Sequence, residues 1–503
     1  MTDPTDAIHF GTDGWRATLE TFTDERVRIV AQGVADYLRD TGTDAPVVVG
    51  YDARPSSPGF AESVADVLSK NGFDAVLPER DCPTPTAVWT VVDRDYAGAI
   101  VLSASHNPPE YNGIKYFPSD GAPAMPEVTD AIEANLREPE ALPDEEHGVV
   151  IRDDLVTPHT EAVAELVAEY GFERGTSRAS SSETQAGREQ SSRGQPATPT
   201  GSNATRERGG ELDLSGVTVA YDAMHGSGRG VTDNLLEAAG ASVDRIRCDT
   251  DPEFGGSAPE PAEENLHALV EHVRAGEADL GIANDGDADR IAVVTPSGYL
   301  DENLFFATTY DAMLEEHDGP AVRTVSTTFL VDRVANAHDQ QVVETAVGFK
   351  WVADAMGTHD ALIGGEESGG FSIRGHVREK DGVLMALLAC AVQAAEPYVH
   401  RLEKLEDEHG RIVADKLSVD CPDDEKARVL EELEDVIPDE VAGVPVERTV
   451  SLDGFKLLCE DGSWLLVRPS GTEPKLRVYA EASSEARVEA VLAAGQELVA
   501  PLV

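Results

Sequence analysis

Three times within the first 400 residues, a short run of aliphatic and β-branched residues gives way to a polar, Gly- or Pro-bearing break and then to a helical pattern. Residues 47 to 110 read this way through "VVVGYD", "PGFAESVADVLSKNG", "DAVLPE" and "GAIVLSAS". A second alternation starts at "VTVAYDAMHGSGRG" (217 to 230), passes through the helix "VTDNLLEAAG" and reaches a strand at "DLGIAND" (279 to 285). A third holds "TVSTTFLVDRVANAH", "ALIGGEESGGF" and "GVLMALLACAVQAAE" (382 to 396), whose unbroken apolar character predicts a buried helix. Strands that alternate with helices must lie in sheets whose faces the helices cover. After about residue 400 the pattern changes to an acidic helix and short strands such as "WLLVRPSGTEPKLRVYAEA", which predicts a separate α+β unit. The three alternations are alike in layout without residue-level periodicity, and 503 residues divide into three or four domains.

Charge narrows the function classes. Asp plus Glu number 94 against 40 Lys plus Arg, a formal net charge of −54, which argues against a nucleic-acid partner because phosphate backbones require a basic footprint. The acids recur on most predicted helices instead of forming one tail. Their mutual repulsion would loosen a compact state in dilute buffer, but at ~1 M salt the screening length falls to about 3 Å, so a salt-rich cytosol and a halophilic archaeal source are expected. Five cysteines without a CxxC pair fit a reducing compartment. The N-terminus has no basic start or apolar h-region, and no apolar run reaches about 18 residues, so a cytoplasmic protein without a membrane partner is expected. Residues 174 to 210 contain no Val, Ile, Leu, Met, Phe, Tyr or Trp, and six arginines stand there against three glutamates. That composition predicts a disordered insert, read either as a tolerated surface insertion or as a basic tether.

Four loops carry chemistry. "NDGDADR" (284 to 290) spaces Asp285, Asp287 and Asp289 two apart just past a predicted strand, with small residues between them, so that one tight turn can aim three hard oxygen ligands at a Mg²⁺ ion. An acidic turn alone also reads as a solvated loop. Arg290 and the apolar strand "IAVVTP" that follow place this one between buried strands, where unneutralised acids are costly. "SASHNPPEYNGIKYF" (103 to 117) puts Ser105 on the lip of a strand with His106 beside it and Lys115 ten residues on. "GGEESGGF" offers Glu366 and Ser368 in a Gly-rich loop that otherwise reads as a turn. "RPSGTEPKLR" offers Arg468, the hydroxyls of Ser470 and Thr472 and the amides around Gly471: a cradle for a phosphate dianion, or equally a hairpin with a buried ion pair.

These four stretches occur in the order, and at roughly the spacing, of the signature loops of the α-D-phosphohexomutases, and over essentially the whole chain outside 174–210 the sequence resembles that family. "FGTDGWRA", "VGYDARPSS", "PTPTAVW", "YDAMHGSGRG", "DPEFGGSAPEP" and "TAVGFKWV" are similar to it as well. The resemblance implies an α/β protein of three similar domains with mixed sheets flanked by helices (1–155, 156–298, 299–400) plus a C-terminal α+β domain (401–503), set around a central cleft. It implies that Ser105 carries a phosphoryl group, that Asp285, Asp287 and Asp289 hold Mg²⁺ against the serine phosphate, and that His106, Lys115, Arg290 and Arg16 supply charge and proton traffic nearby. Glu366 and Ser368 would read sugar hydroxyls; Arg468, Ser470, Gly471, Thr472 and Arg477 would grip the non-reacting phosphate.

The implied reaction interconverts hexose 1- and 6-phosphates through a hexose 1,6-bisphosphate that is both intermediate and activator, in a monomer or homodimer whose partners are small sugar phosphates. "GHVREKDG" (375 to 382) resembles a pattern of glucose-type mutases and brings His376 and Lys380 toward the cleft. Gly370 stands where mannose-accepting bacterial members commonly have His, and Lys350 in "GFKWV" also leans toward glucose. "RPSGTEP" is shared with glucosamine mutases, so phosphoglucomutase with phosphomannomutase side activity is the first expectation and phosphoglucosamine mutase the alternative, ahead of a Mg²⁺-dependent phosphatase.

Overall fold

The computed structural model describes residues 4–11, 14–172, 212–471 and 473–503. The expected insert at 174–210 and Thr472 therefore lie outside the described residues. Four sheets follow one another along the chain. The first orders its strands Trp15–Thr18, Tyr111–Pro118, Gly98–Leu102, Val47–Tyr51, Ala75–Pro78 and Val150–Asp153, parallel over the last four and antiparallel over the first three. The second runs Gly298–Leu300, Ile291–Thr295, Leu280–Asn284, Thr218–Asp222 and Ser242–Ile246; the third runs Val342–Thr345, Ala321–Thr324, Ile363–Gly365 and Phe371–Ile373. Both mix parallel and antiparallel pairs. The fourth, from Val413–Asp420 to Glu440–Val441, is antiparallel throughout. Three mixed α/β units and a C-terminal α+β unit are thus what the chain forms.

The strand interiors explain the layering. Val47–Tyr51, Gly98–Leu102, Leu280–Asn284 and Ile291–Thr295 are buried at every position, as strands covered on both faces must be. The apolar stretch after Lys380 is the helix Gly382–Ala395, buried from Gly382 through Val392. It packs in one continuous core with the second and third sheets and with the helix Val156–Tyr170, while the first and fourth sheets have cores of their own. Among the described residues no single helix is long and apolar enough to cross a membrane.

One topological detail positions the site. In each of the first three sheets a parallel strand ends in a loop and returns antiparallel, with Leu102 opposite Ile114, Asn284 opposite Ile291 and Gly365 opposite Phe371. The serine, acidic and Glu366 motifs are those three connections. The fourth motif is the turn of an antiparallel hairpin, joining Trp464–Pro469 to Lys475–Ala482. Loops of unlike chemistry are thus carried on rigid strand ends.

Candidate active site

The serine loop is held from below. Arg54, 1% exposed, pairs with Asp52 at 3.0 Å and donates to the carbonyls of Ser105 (2.8 Å), Asn107 (2.6 Å), Pro108 (2.7 Å) and Tyr111 (3.2 Å). A single guanidinium thereby gathers four backbone acceptors and freezes the loop's path. Ser105 adopts a left-handed backbone, φ 51°, and its N–H donates to Ser103 Oγ at 2.8 Å. For a residue with a side chain that conformation is strained, and surrounding contacts must enforce it. The result aims Ser105 Oγ at the second domain's loop: it donates to Asp285 Oδ2 at 2.7 Å and lies 3.2 Å from His106 Nδ1. Gly286 allows the approach, since a Cβ there would stand 2.6 Å from the Ser105 carbonyl oxygen.

Asp285, Asp287 and Asp289 are all at most 1% exposed, with ligand oxygens within 4.8 Å of one another. Asp287 Oδ2 accepts from Thr84 Oγ1 (2.7 Å), Ser103 Oγ (2.9 Å) and Lys115 Nζ (3.1 Å); Lys115 also reaches Asp289 Oδ2 at 3.2 Å. Asp285 Oδ1 accepts from the N–H groups of Asp289 and Arg290. Burial pushes the Asp285 carboxyl well above the carboxylate range, and Asp289 and Asp287 add to the shift. Burial acts on Asp287 in the same direction, but Lys115, Thr84 and Ser103 outweigh it and hold that carboxyl below its ordinary value.

Asp287 Oδ1 and Asp289 Oδ1 are buried without a hydrogen-bond partner. Two such oxygens beside Asp285, in an all-oxygen set, fit a hard divalent cation, whose charge would complete the neutralisation that Lys115 and Arg290 begin. The three aspartates are the residues that would hold it. A Mg²⁺ ion bound there supplies Lewis-acid withdrawal of charge from a phosphoryl oxygen.

Positive charge and a proton acceptor surround the serine. Arg290 Nε lies 3.9 Å from Asp289 Oδ1, and Arg16 Nη1 donates to Asn107 Oδ1 at 3.4 Å. Burial, with Arg290 and Arg16 adding to it, lowers His106 well below the usual imidazole value, so its ring is held neutral at pH 7.

The third loop joins this junction through an antiparallel bridge between Arg290 and Gly370. Glu366, 7% exposed, accepts from the Gly348 N–H at 2.9 Å, and burial together with Glu367 raises its carboxyl to about 7. Ser368 is half-buried beside it. Lys380 Nζ stands 3.5 Å from Asp289 Oδ2, and its stem fills the space beside Gly370, where a Cβ would meet Lys380 Cδ at 2.3 Å. Lys350 is half-buried on the first turn of the helix Phe349–His359, its Nζ 5.9 Å from the Trp351 ring centre. His376 does not sit among these groups: its side chain is 3% exposed and bonds to Asp381.

In the fourth loop Arg468 Nε donates to Asp453 Oδ2 at 2.9 Å, and the same oxygen accepts from the Val347 N–H at 3.1 Å, one residue from the amide that binds Glu366. Ser470 is buried, Gly471 is exposed, and Arg477 pairs with Glu473 and donates to Ser418 Oγ at 2.6 Å.

Arg54, Thr84 and Ser103 were not singled out from sequence as functional residues. Arg54 and Thr84 lie inside "VGYDARPSS" and "PTPTAVW", and Ser103 opens the serine motif itself, so the stretches were visible and their purpose was not.

Comparison with known proteins gives the same assignment from outside. Models of the phosphoglucomutase/phosphomannomutase family match in four parts: alpha/beta/alpha domain I over residues 7–142, domain II over 204–298, domain III over 301–409 and the C-terminal domain over 417–496. The chain is 30% identical to a phosphoglucomutase/phosphomannomutase of Thermococcus kodakarensis, over 97% of this chain and 98% of that one. It is also 30% identical to a probable phosphoglucosamine mutase of Methanopyrus kandleri (95% and 95%) and to a phosphopentomutase of Thermococcus kodakarensis (95% and 94%). Among solved structures it is similar to a putative phosphomannomutase from Thermus thermophilus, with TM-score 0.78, 29% identity and coverage of 99% of this chain and 100% of that one. With all four domains matched, the chain belongs to the phosphoglucomutase/phosphomannomutase family, the sugar-phosphate mutases.

Proposed function

We propose that this chain interconverts hexose 1-phosphate and hexose 6-phosphate, glucose first and mannose as a side activity, through phosphorylated Ser105 and a hexose 1,6-bisphosphate. The observation that carries the reading is the 2.7 Å contact between Ser105 Oγ and Asp285, beside two buried carboxylate oxygens with no hydrogen-bond partner.

The chain's own groups account for the transfer. As the bond from Ser105 Oγ to phosphorus breaks and one forms from phosphorus to a sugar hydroxyl, charge grows on Oγ and the hydroxyl loses its proton. Lys115, Arg290 and Arg16 stabilise that charge, and neutral His106, 3.2 Å from Oγ, is placed to exchange the proton. Once the bisphosphate has turned over in the site, its other phosphoryl group passes back to Ser105 Oγ; the bond from phosphorus to that sugar oxygen breaks, the oxygen regains a proton as a hydroxyl, and phosphate is conserved. Glu366 and Ser368 present an acceptor and a donor to the ring hydroxyls in either orientation. Arg468, Ser470, Gly471, Thr472 and Arg477 take the phosphate that is not reacting.

Relatives at equal identity carry different substrate names, so the glucose preference rests on local packing. Lys380 occupies the volume beside Gly370, and a histidine at 370 would displace it. This supports the glucose-type reading. The test offers glucose, mannose, glucosamine and pentose 1-phosphates with Mg²⁺ and catalytic glucose 1,6-bisphosphate in molar salt, following each 6- or 5-phosphate product against free phosphate. Glucose 6-phosphate as the fastest product supports the proposal. Faster turnover of glucosamine or pentose phosphate replaces it, and release of free phosphate in place of isomer overturns mutase action. The −54 charge leads us to place the working enzyme in a salt-rich cytoplasm, and a salt titration of the same assay, rising toward molar salt, checks this.

A further inference from the structure

We propose that His159, His376 and Asp381 form a buried positioning unit that sets the acidic loop and Lys380 in register. The inference rests on the reading of that loop as the cation site.

Asp381 is fully buried, and four donors surround its carboxylate. Oδ1 accepts from the N–H groups of Val383 (2.8 Å) and Leu384 (2.9 Å), capping the helix Gly382–Ala395. Oδ2 accepts from His159 Nε2 and His376 Nε2, each at 2.8 Å. Burial opposes ionisation of Asp381, yet the two imidazoles keep its carboxyl below the ordinary range. An ionised carboxylate only accepts, so Nε2 of His159 carries the hydrogen, and Nδ1 shares a hydrogen bond with Thr86 Oγ1 at 2.9 Å.

His159 therefore spans two helix starts. Thr86 belongs to the helix Thr84–Asp93, whose first residue grips Asp287 through its N–H to the Asp287 carbonyl (2.9 Å) and its hydroxyl to Oδ2 (2.7 Å). Beyond Asp381, the Gly382 N–H donates to the Ala288 carbonyl at 3.1 Å, and Asn284 Nδ2 donates to the carbonyls of Arg290 and Gly382. Lys380, next to Asp381 in the chain, stands over Asp289. The acidic loop is thus clasped between two helix N-termini, and one imidazole fixes the gap between them. Ala288, at φ 54°, is the strained residue the clasp encloses.

The test uses the full chain in molar salt, with Mn²⁺ affinity by electron paramagnetic resonance as a readout separate from turnover. Thr86→Val and His159→Ala are expected to weaken Mn²⁺ binding about 10-fold and to lower kcat by a similar factor, with KM for the sugar phosphate within about 2-fold. His159→Gln keeps a donor toward Asp381 and is expected to recover most of the loss. Should His159→Ala fail to fold, the near-isosteric Thr86→Val decides alone. Unchanged Mn²⁺ affinity and kcat in Thr86→Val and His159→Ala, with only a lower melting temperature, would overturn the proposal in favour of plain structural support. A second Mn²⁺ equivalent lost in His376→Ala would overturn it as well, by making the cluster itself a metal site. If the wild type binds Mn²⁺ but converts no sugar phosphate, the functional reading fails while this one stands on the binding data.

Discussion

The acidic loop and the fourth-domain loop both gather charge, and they do so in opposite ways. Around Asp287, hydroxyls and an ammonium from the first domain converge on carboxylates that are at most 1% exposed, and each side chain is fixed by partners from another element. Around Arg468 and Arg477, the charged partners are acids of the same domain, Asp453 and Glu473 respectively, and Gly471 is exposed. The first arrangement is preorganised for a charge that develops in place. The second consists of Arg–carboxylate pairs closed within one domain, which the phosphate of the proposed substrate would replace. The difference teaches that the proposed chemistry sits where hydrogen bonds cross between domains, and the proposed phosphate grip where charge pairs close within one.

The sharpest break of this contrast is Ser105→Ala, which is expected to lower kcat by about 10⁴-fold while the melting temperature stays near wild type, read by coupled assay and thermal melt. Next, Asp287→Asn is expected to cost about 10²–10³ in kcat. It should also abolish the Mg²⁺-dependent rise in melting temperature, which for the wild type at 100-fold excess over Kd corresponds to about 2.7 kcal/mol.

The seam between the third and fourth domains sharpens the comparison from a different side. Lys456 is 1% exposed there, donates to the Val325 carbonyl at 2.7 Å, and lies 4.0 and 4.2 Å from the ring centres of Phe329 and Trp464. Burial, helped by Arg323, lowers its ammonium to about 8. A folded pKa below the unfolded one means that the unfolded chain binds more protons between about 8 and 10.5, so stability rises with pH across that window and is lost as pH falls through 8. Relative to Lys456→Met, the wild type should gain about 3 kcal/mol over that range, measured by denaturant titration at each pH. The smallest effect belongs to the fourth-domain loop: Arg468→Ala should raise KM about 10-fold and leave kcat within about 2-fold. A fall in kcat equal to that of Asp287→Asn would erase the distinction drawn here.

What was legible in the chain was whatever depends on near neighbours. The strand "DLGIAND", the buried helix after Lys380 and the three aspartates at alternate positions are local patterns, and each appears where its pattern implied, as Leu280–Asn284, Gly382–Ala395 and one buried trio. Arg54, Thr84 and His159 were opaque because their partners are remote. Thr84 and Ser103 meet Asp287 across 203 and 184 residues, and His159 meets Asp381 across 222. His376 shows the limit most clearly: its motif placed it near the cleft, and packing turned its ring to Asp381 instead.

By itself the sequence determined the order of strands and helices, the division into three α/β units and an α+β unit, and the chemical identity of four loops. Periodicity and turn chemistry act over a few residues and are written in the chain. Only the tertiary structure decided that Ser105 Oγ faces Asp285 at 2.7 Å, that two carboxylate oxygens of the trio are buried without a hydrogen-bond partner, and that His159 bridges Thr86 and Asp381. Those facts depend on how buried charge is compensated across separate sheets, and the compensation exists only once the sheets have met.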